Sequence, residues 1–227
     1  MKTNGRKNAI ILLCFLTMVL GISGSLCGIA SAEDDQGETG MTFADQIGAL
    51  EAEGLIPATS GTYLYLGDYE DSLAQLGYLR KIPLMEAENF AASVHLSWES
   101  GSRIPDTQTA GCGIIFNSSD GSNDYMMASV RMDGMVYISG SRNYSKLSYG
   151  KFYYGLPAVE GSADLLVIVN DHTVSVFLDG NNLAVVPDFL PMGNEIGLGI
   201  LSGTYQDFGT RCKFEDICFY IWQEDQE

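Results

Sequence analysis

Residues 111–139 read GCGIIF, NSSDGSND, YMMASVRMDG and MVYIS in succession. Three short apolar runs are separated by a polar stretch, Asn117 to Asp124, and by Asp133-Gly134. Asp-Gly between apolar runs is a strong hairpin signal, because glycine accepts a positive φ without steric cost. This stretch is therefore predicted to be an antiparallel meander, and the neighbouring runs are predicted to be strands added to it.

Upstream, Phe90 to Trp98 alternates, with Val94, Leu96 and Trp98 facing one way and Ser93, His95 and Ser97 the other. Such a strand has one core side and one wet side. Downstream, Leu165 to Val169 is uninterrupted apolar sequence, which predicts cover on both faces. Asn170-Asp171 and Asp179-Gly180 bracket a period-2 run of Val174, Val176 and Leu178. Ile196, Leu198 and Ile200 alternate with Gly197 and Gly199, as in a strand that another backbone approaches closely. Cys212 to Trp222 reads as a central strand with a bulge where the phase slips at Glu215-Asp216.

Nearer the start, Thr42 to Gly54 predicts a short helix, capped by Thr42, with Phe43, Ile47 and Leu50 at helical spacing. Thr62 to Gly67 alternates as a strand, DYEDSLAQLG (68–77) reads as a second helical or turn segment, and Tyr78 to Leu84 as a strand that Pro83 interrupts. Ser141 to Gly161 shows no clear period and reads as a long loop, the kind of segment that carries function. Roughly nine to twelve strands at regular spacing argue for an all-β, two-sheet antiparallel sandwich with a short N-terminal helical segment.

Residues 1–32 are read as a signal peptide: Lys2, Arg6 and Lys7 precede an apolar run, and Ala30-Ser31-Ala32 offers a cleavage site. A retained membrane anchor is the alternative, and membrane contact is expected only through such an uncleaved leader. The expected divisions are then 33–59, an acidic lead-in and the short helix; 60–223, the sandwich; and 224–227, an acidic tail. The expected location is secreted or extracytoplasmic.

All 29 acidic residues follow residue 32, against nine basic ones, leaving a net charge of −20 after cleavage. A surface so acidic disfavours nucleic acid and anionic lipid and favours solubility. Cys112, Cys212 and Cys218 remain. In an oxidising compartment, Cys112 and Cys212, each opening a strand, are expected to pair. Closing a loop of about 100 residues is worth up to about 4.7 kcal/mol in the chain-entropy model. Cys218, inside an apolar strand, reads as a packing thiol. No cysteine spacing suggests a zinc or redox site.

The order of these pieces resembles the concanavalin A-like lectin/glucanase jelly roll, in particular its laminin G-like modules. The residues that carry the resemblance are Phe90, Val94 and Trp98, then Cys112 to Phe116, Asp124-Tyr125, Asp133-Gly134, Val174 to Gly180, Gly197 to Ile200 and Arg211 to Phe214. The resemblance implies two curved antiparallel sheets of about six strands and, in many members, glycan binding on a concave face or loop rim; other members bind proteins. The superfamily's glucanases carry an E-x-D-x-x-E strand, and the nearest acidic strand here, Phe214 to Phe219, lacks that spacing. Glu86 and Glu88, two apart and expected on one strand face, are the remaining candidate carboxylate pair, though an acidic, solvated strand start explains them as well.

Tyr125, Tyr137, Tyr149, Tyr153 and Tyr154, with Arg142 and Asn143, are the candidate ligand-binding residues, since flat aromatic faces suit sugar rings and polar neighbours suit hydroxyls. The competing reading packs these tyrosines against the core edge and the loop. Asp120, Asn123 and Asp124 form an oxygen-rich turn that could hold Ca²⁺, although Asp and Asn are also ordinary turn residues; no other cofactor is expected. Asn117-Ser118-Ser119 and Asn143-Tyr144-Ser145 match the N-glycosylation pattern, which matters only in a eukaryotic source. His95 and His172 have no recognisable nucleophile. The leading expectation is a non-catalytic carbohydrate-binding module; the alternative is a protein-interaction or structural sandwich of the cell surface, with a glycoside hydrolase behind both.

Overall fold

The computed structural model describes residues 41–57, 60–119, 123–190 and 192–223. The predicted signal peptide, the lead-in to residue 40, the tail after Gln223 and Asp120 lie outside the described residues. One helix, α1 (Phe43–Ala52), precedes thirteen strands: β1 (Thr62–Leu66), β2 (Tyr69–Leu73), β3 (Tyr78–Glu86), β4 (Asn89–Ser100), β5 (Gly111–Ser118), β6 (Tyr125–Arg131), β7 (Met135–Arg142), β8 (Ser145–Tyr153), β9 (Glu160–Asn170), β10 (Thr173–Leu178), β11 (Asn181–Val186), β12 (Glu195–Ser202) and β13 (Thr210–Trp222).

They form two antiparallel sheets. Sheet A runs β1-β13-β4-β9-β10-β11, with β2 also paired to β13; sheet B runs β3-β12-β5-β6-β7-β8. The predicted meander is β5-β6-β7, turning at Asp133-Gly134, where Gly134 takes φ 80°. Alternation places Phe90, Val94, Leu96, Cys112, Ile114, Phe116, Val136 and Phe214 in one buried cluster between the sheets. Burying such side chains is the main stabilising term, about 1.5–3 kcal/mol for each large one. Cys112 of sheet B and Cys212 of sheet A join the sheets as a disulfide, with Cα atoms 6.1 Å apart and both side chains fully buried.

A second cluster lies on the outer face of sheet A. Phe43, Ile47 and Leu50 of α1 pack there with Ile56 on Ala91, Ile168, Phe177, Tyr220 and Trp222. This is why Leu165 to Val169 is apolar throughout: odd residues face the inter-sheet core and Ile168 faces the helix. Helix α1 starts as its sequence predicts. Thr42 accepts from the Asp45 N–H, and the Asp45 carboxylate accepts from the Thr42 N–H at 3.0 Å, a reciprocal cap.

Several expectations are corrected. The 68–77 stretch contains strand β2, not a helix: Leu73 enters the core, Tyr69 packs near Phe214, and both belong to a strand registered on β13. Pro83 does not end its strand, because β3 is an edge strand and Pro83 sits beside a register shift opposite Gly197. The 141–161 stretch is not one long loop. Asn143 and Tyr144 take φ 49° and 62° in a tight turn, and β8 pairs back onto β7. A register shift between Ile138 and Ser139 breaks the alternation that would have marked β8 in the sequence. The bulge at Glu215-Asp216 is present, with Asp216 at φ 51°. Cys218 is buried in the cluster on the outer face of sheet A, and it is disulfide-bonded.

Candidate functional site

The inward residues of sheet B define its outward ones. Cys112, Ile114 and Phe116 of β5 face the core, so Gly111, Gly113 and Ile115 face away; Met126, Ala128 and Val130 of β6 face the core, so Tyr125, Met127, Ser129 and Arg131 face away. The same alternation turns Tyr137 and Ser139 of β7 outward, and register carries the pattern to Ser148, Lys151 and Tyr153 of β8. On the other side, Gly197 and Gly199 of β12 and Lys81 of edge strand β3 complete the face.

Four glycines occupy outward positions of β12 and β5, and a Cβ on Gly199 would come within 2.6 Å of the Met127 Cε and 3.1 Å of the Ile115 Cδ1. Met127 and Ile115 thus lie over the glycine track; they belong to neither buried cluster, yet both are buried, so other side chains of the face cover them. Ser139 and Ser148 add hydroxyls on β7 and β8, while Ser129 on β6 is fully buried.

Two cation–tyrosine pairs stand at the two ends of β6. The Arg131 guanidinium lies 4.0 Å from the Tyr137 ring centroid, and Lys81 Nζ 5.3 Å from that of Tyr125. Arg131 also donates to Ser129 Oγ (3.2 Å) and to the Gln108 carbonyl (2.6 Å), and the Tyr137 hydroxyl donates to Asp133 Oδ2 (2.7 Å). These contacts fix the Tyr137 ring before any ligand arrives. Burial, then the Asp133 hydrogen bond and charge, raise the Tyr137 pKa; burial raises that of Tyr125 and lowers that of Arg131, against the opposing fields of Tyr137 and Asp133.

The structure therefore brings together Tyr125, Tyr137 and Tyr153 of the seven predicted binding residues. Tyr153 is well exposed, and Lys151 next to it lies opposite Tyr137. The other four are elsewhere. Tyr149 packs against the inter-sheet cluster, and Tyr154 stacks edge-on to Trp98, 6.4 Å between centroids, donating its hydroxyl to the Arg131 carbonyl. Burial pushes the Tyr154 pKa far up, with Asp133 and Asp179 adding to it. Arg142 and Asn143 are exposed at the β7–β8 turn, where the Asn143 N–H donates to Asp124 Oδ1 at 2.7 Å. Sequence reasoning missed Lys81, Arg131 and Lys151; outward alternation in β6 signals Arg131, but β8 and the face-to-face register are not visible without the pairing.

Of the oxygen-rich turn, Asp120 lies outside the described residues, and Asp124 Oδ1 accepts the Asn143 N–H at the β7–β8 turn. Among the described residues no group of three or more His, Cys, Asp or Glu converges as a metal site. Asn117 is buried, its side chain donating to the Leu190 carbonyl (2.8 Å) and accepting from the Met192 and Gly193 N–H groups (2.6 and 3.2 Å). It pins the β11–β12 loop, and its amide is inaccessible to glycosylation in the fold.

Glu86 and Glu88 do not share a strand face, because β3 ends at Glu86 and the chain turns before Asn89. They nevertheless line one cavity of about 1460 Å³ at the end of the sandwich, with Asp171, His172, Asn194 and Trp222. Asn194 donates to Glu86 (3.4 Å), and the buried Trp222 indole N–H has no hydrogen-bond partner among the described residues.

No protein-family model matches the chain, and a search of curated proteins finds no match. Among solved structures, the carbohydrate-binding module CBM66 from Bacillus subtilis superposes with a TM-score of 0.52 at 11% identity, over 68% of this chain and 92% of that one. The Bacillus licheniformis β-glucanase gives 0.44 at 9% identity, over 62% and 69%, and sheep galectin-11 gives 0.37 at 13%, over 61% and 98%. At 11% identity the likeness to the first of these is one of fold alone, a two-sheet β-sandwich.

Proposed function

We propose that the protein is an exported, non-catalytic, lectin-like module of laminin G-like build that binds carbohydrate on the outer face of sheet B. One observation carries this reading: Tyr125, Tyr137 and Tyr153 occupy outward positions on three successive strands of sheet B, with Tyr137 locked by Arg131 and Asp133. Rigid aromatic rings beside small residues suit the flat faces of sugar rings, and serine hydroxyls and lysines suit their oxygens. The fold it shares with a module named for carbohydrate binding supports the reading. The test is retention of the purified protein on immobilised polysaccharides, with and without Ca²⁺. Tyr137→Ala is expected to abolish retention while leaving the protein folded; retention unchanged in that variant would place the ligand elsewhere. No retention on any polysaccharide would favour a protein-binding sandwich.

A second reading rests on the end cavity, where Glu86 and Glu88 meet His172 and Trp222. If sugar is released from the same panel and the release disappears in Glu86→Gln, the protein is a glycoside hydrolase.

A further inference from the structure

The end of the sandwich opposite the Glu86 cavity carries four connections: 74–77 between β2 and β3, 101–110 between β4 and β5, 154–159 between β8 and β9, and 203–209 between β12 and β13. Backbone hydrogen bonds tie them to one another and to the strand ends. Gly77 N–H donates to the Ser202 carbonyl (2.8 Å), Gly101 N–H to that of Gly209 (2.8 Å) and Ser100 N–H to that of Val159 (2.9 Å). A Cβ on Gly203 would meet the Asp106 carbonyl oxygen, so the second and fourth connections touch. Each of the four nevertheless turns a large hydrophobic side chain to solvent: Ile104 is 90% exposed, Leu156 80%, Tyr205 67% and Leu76 58%. Tyr78, the first residue of β3, is exposed beside them. One exposed leucine is ordinary, but one such side chain on each of four neighbouring loops marks a docking surface.

Shape and charge say what covers it. The only charged residues of these connections are Arg103, Asp106 and Asp207. Glu86, Glu88, Asp171 and Glu195 gather at the other end instead. A hollow of about 460 Å³ opens between the 101–104 and 204–207 segments, lined by Ser102, Arg103, Ile104, Thr204, Gln206 and Asp207. The hydrophobic side chains are therefore prongs on separate loops, with a polar hollow between two of them, and a flat protein surface laid on the prongs leaves that hollow unfilled. A fluid lipid surface fills it. Arg103 and Asp207 offer the hollow one cation and one anion, the complement of the phosphate and quaternary amine of a zwitterionic headgroup. Among the described residues neither is in an ion pair. Aliphatic prongs with Tyr78 and Tyr205 nearby suit the boundary between headgroups and acyl chains, where amphipathic rings settle. The net charge of −17 disfavours anionic lipid.

We propose that this end of the sandwich docks on a zwitterionic phospholipid bilayer, with Leu76, Ile104 and Leu156 entering its headgroup boundary and one headgroup seated in the hollow between Arg103 and Asp207. Such contact reaches about 5–10 Å into the interface. It is independent of the carbohydrate reading and of any leader. The experiment is co-sedimentation of the full chain with vesicles of phosphatidylcholine, alone and mixed with phosphatidylglycerol, with sedimentation velocity of the protein by itself and thermal unfolding of each variant alongside. Binding to phosphatidylcholine, weakened by phosphatidylglycerol, is expected. Ile104→Asp and Leu156→Asp are each expected to weaken it about tenfold or more, and Arg103→Ala and Asp207→Ala about threefold. Leu190→Ser, at an exposed leucine of the opposite end, is expected to change nothing. Emission of Ile104→Trp is expected to shift to the blue on the vesicles, a change that binding through a leader does not produce. No binding, binding indifferent to Ile104→Asp and Leu156→Asp, an unshifted Ile104→Trp or tighter binding to the anionic vesicles overturns the inference. Self-association of the protein alone, lost in the same two aspartate variants, makes this end a contact between copies and overturns it too.

Discussion

Tyr137 and Tyr154 were equal candidates by sequence, and the fold gives them different work. Tyr137 is half-buried on the outer face, while Tyr154 is wedged against Trp98 at the core edge. Tyr154→Ala is therefore expected to cost about 3 kcal/mol in urea unfolding, as large-to-small changes in packed sites do. Tyr137→Ala is expected to cost under about 1.5 kcal/mol and to act on ligand retention instead. Alkaline titration separates these residues from exposed tyrosines as well. The pKa values of Tyr125, Tyr137 and Tyr154 are raised in the fold, so their contribution is fully present below the unfolded value near 10 and is lost as pH rises through the folded values. Tyrosinate absorbance should accordingly develop late for these three, and early ionisation of Tyr137 in a Tyr137-only comparison with Tyr137→Phe would contradict the Asp133 contact. The residue types of the face were visible in the sequence; which tyrosines share it was not, since that depends on the phase of β8.

At the scale of elements, α1 and β5-β6-β7 were legible because each satisfies its local signals together: cap, period and turn agree. Strands β2 and β8 were not, because both lie at sheet edges, where half-exposed residues show no clean alternation and pairing alone decides. The cap of α1 gives a direct test. Thr42→Ala should cost about 1 kcal/mol of stability, measured by denaturant unfolding. The Asp45 carboxyl is held below its ordinary value by the Thr42 side-chain and backbone hydrogen bonds, so its stabilising effect is present above the unfolded pKa near 3.9 and is lost as pH falls through the folded one. Helix signal in circular dichroism should fade over that acid range in the wild type, with a smaller step in Thr42→Ala, which keeps only the backbone hydrogen bond to Asp45. Asn117→Ala leaves the Met192 and Gly193 N–H groups without their acceptor and is expected to loosen the β11–β12 loop, seen as faster amide exchange there.

For the whole molecule, the two sheets are joined by a shared apolar core and, among the described residues, by one covalent bridge. Removing the Cys112–Cys212 disulfide, with a sequence separation of 100, should cost about 2–5 kcal/mol, read as a lower midpoint in guanidinium under reducing conditions. That pairing could be read from the chain because both cysteines open strands and both face inward. The make-up of the outer face of sheet B could not, because it appears only when register aligns the outward residues of six strands. The central claim is that the outer face of sheet B binds carbohydrate, and the measurement that bears on it most directly is retention of the wild type and Tyr137→Ala on a panel of immobilised polysaccharides. Retention of the wild type on at least one polysaccharide, lost in a folded Tyr137→Ala, is the predicted result; retention that survives Tyr137→Ala unchanged, or no retention at all, contradicts the account.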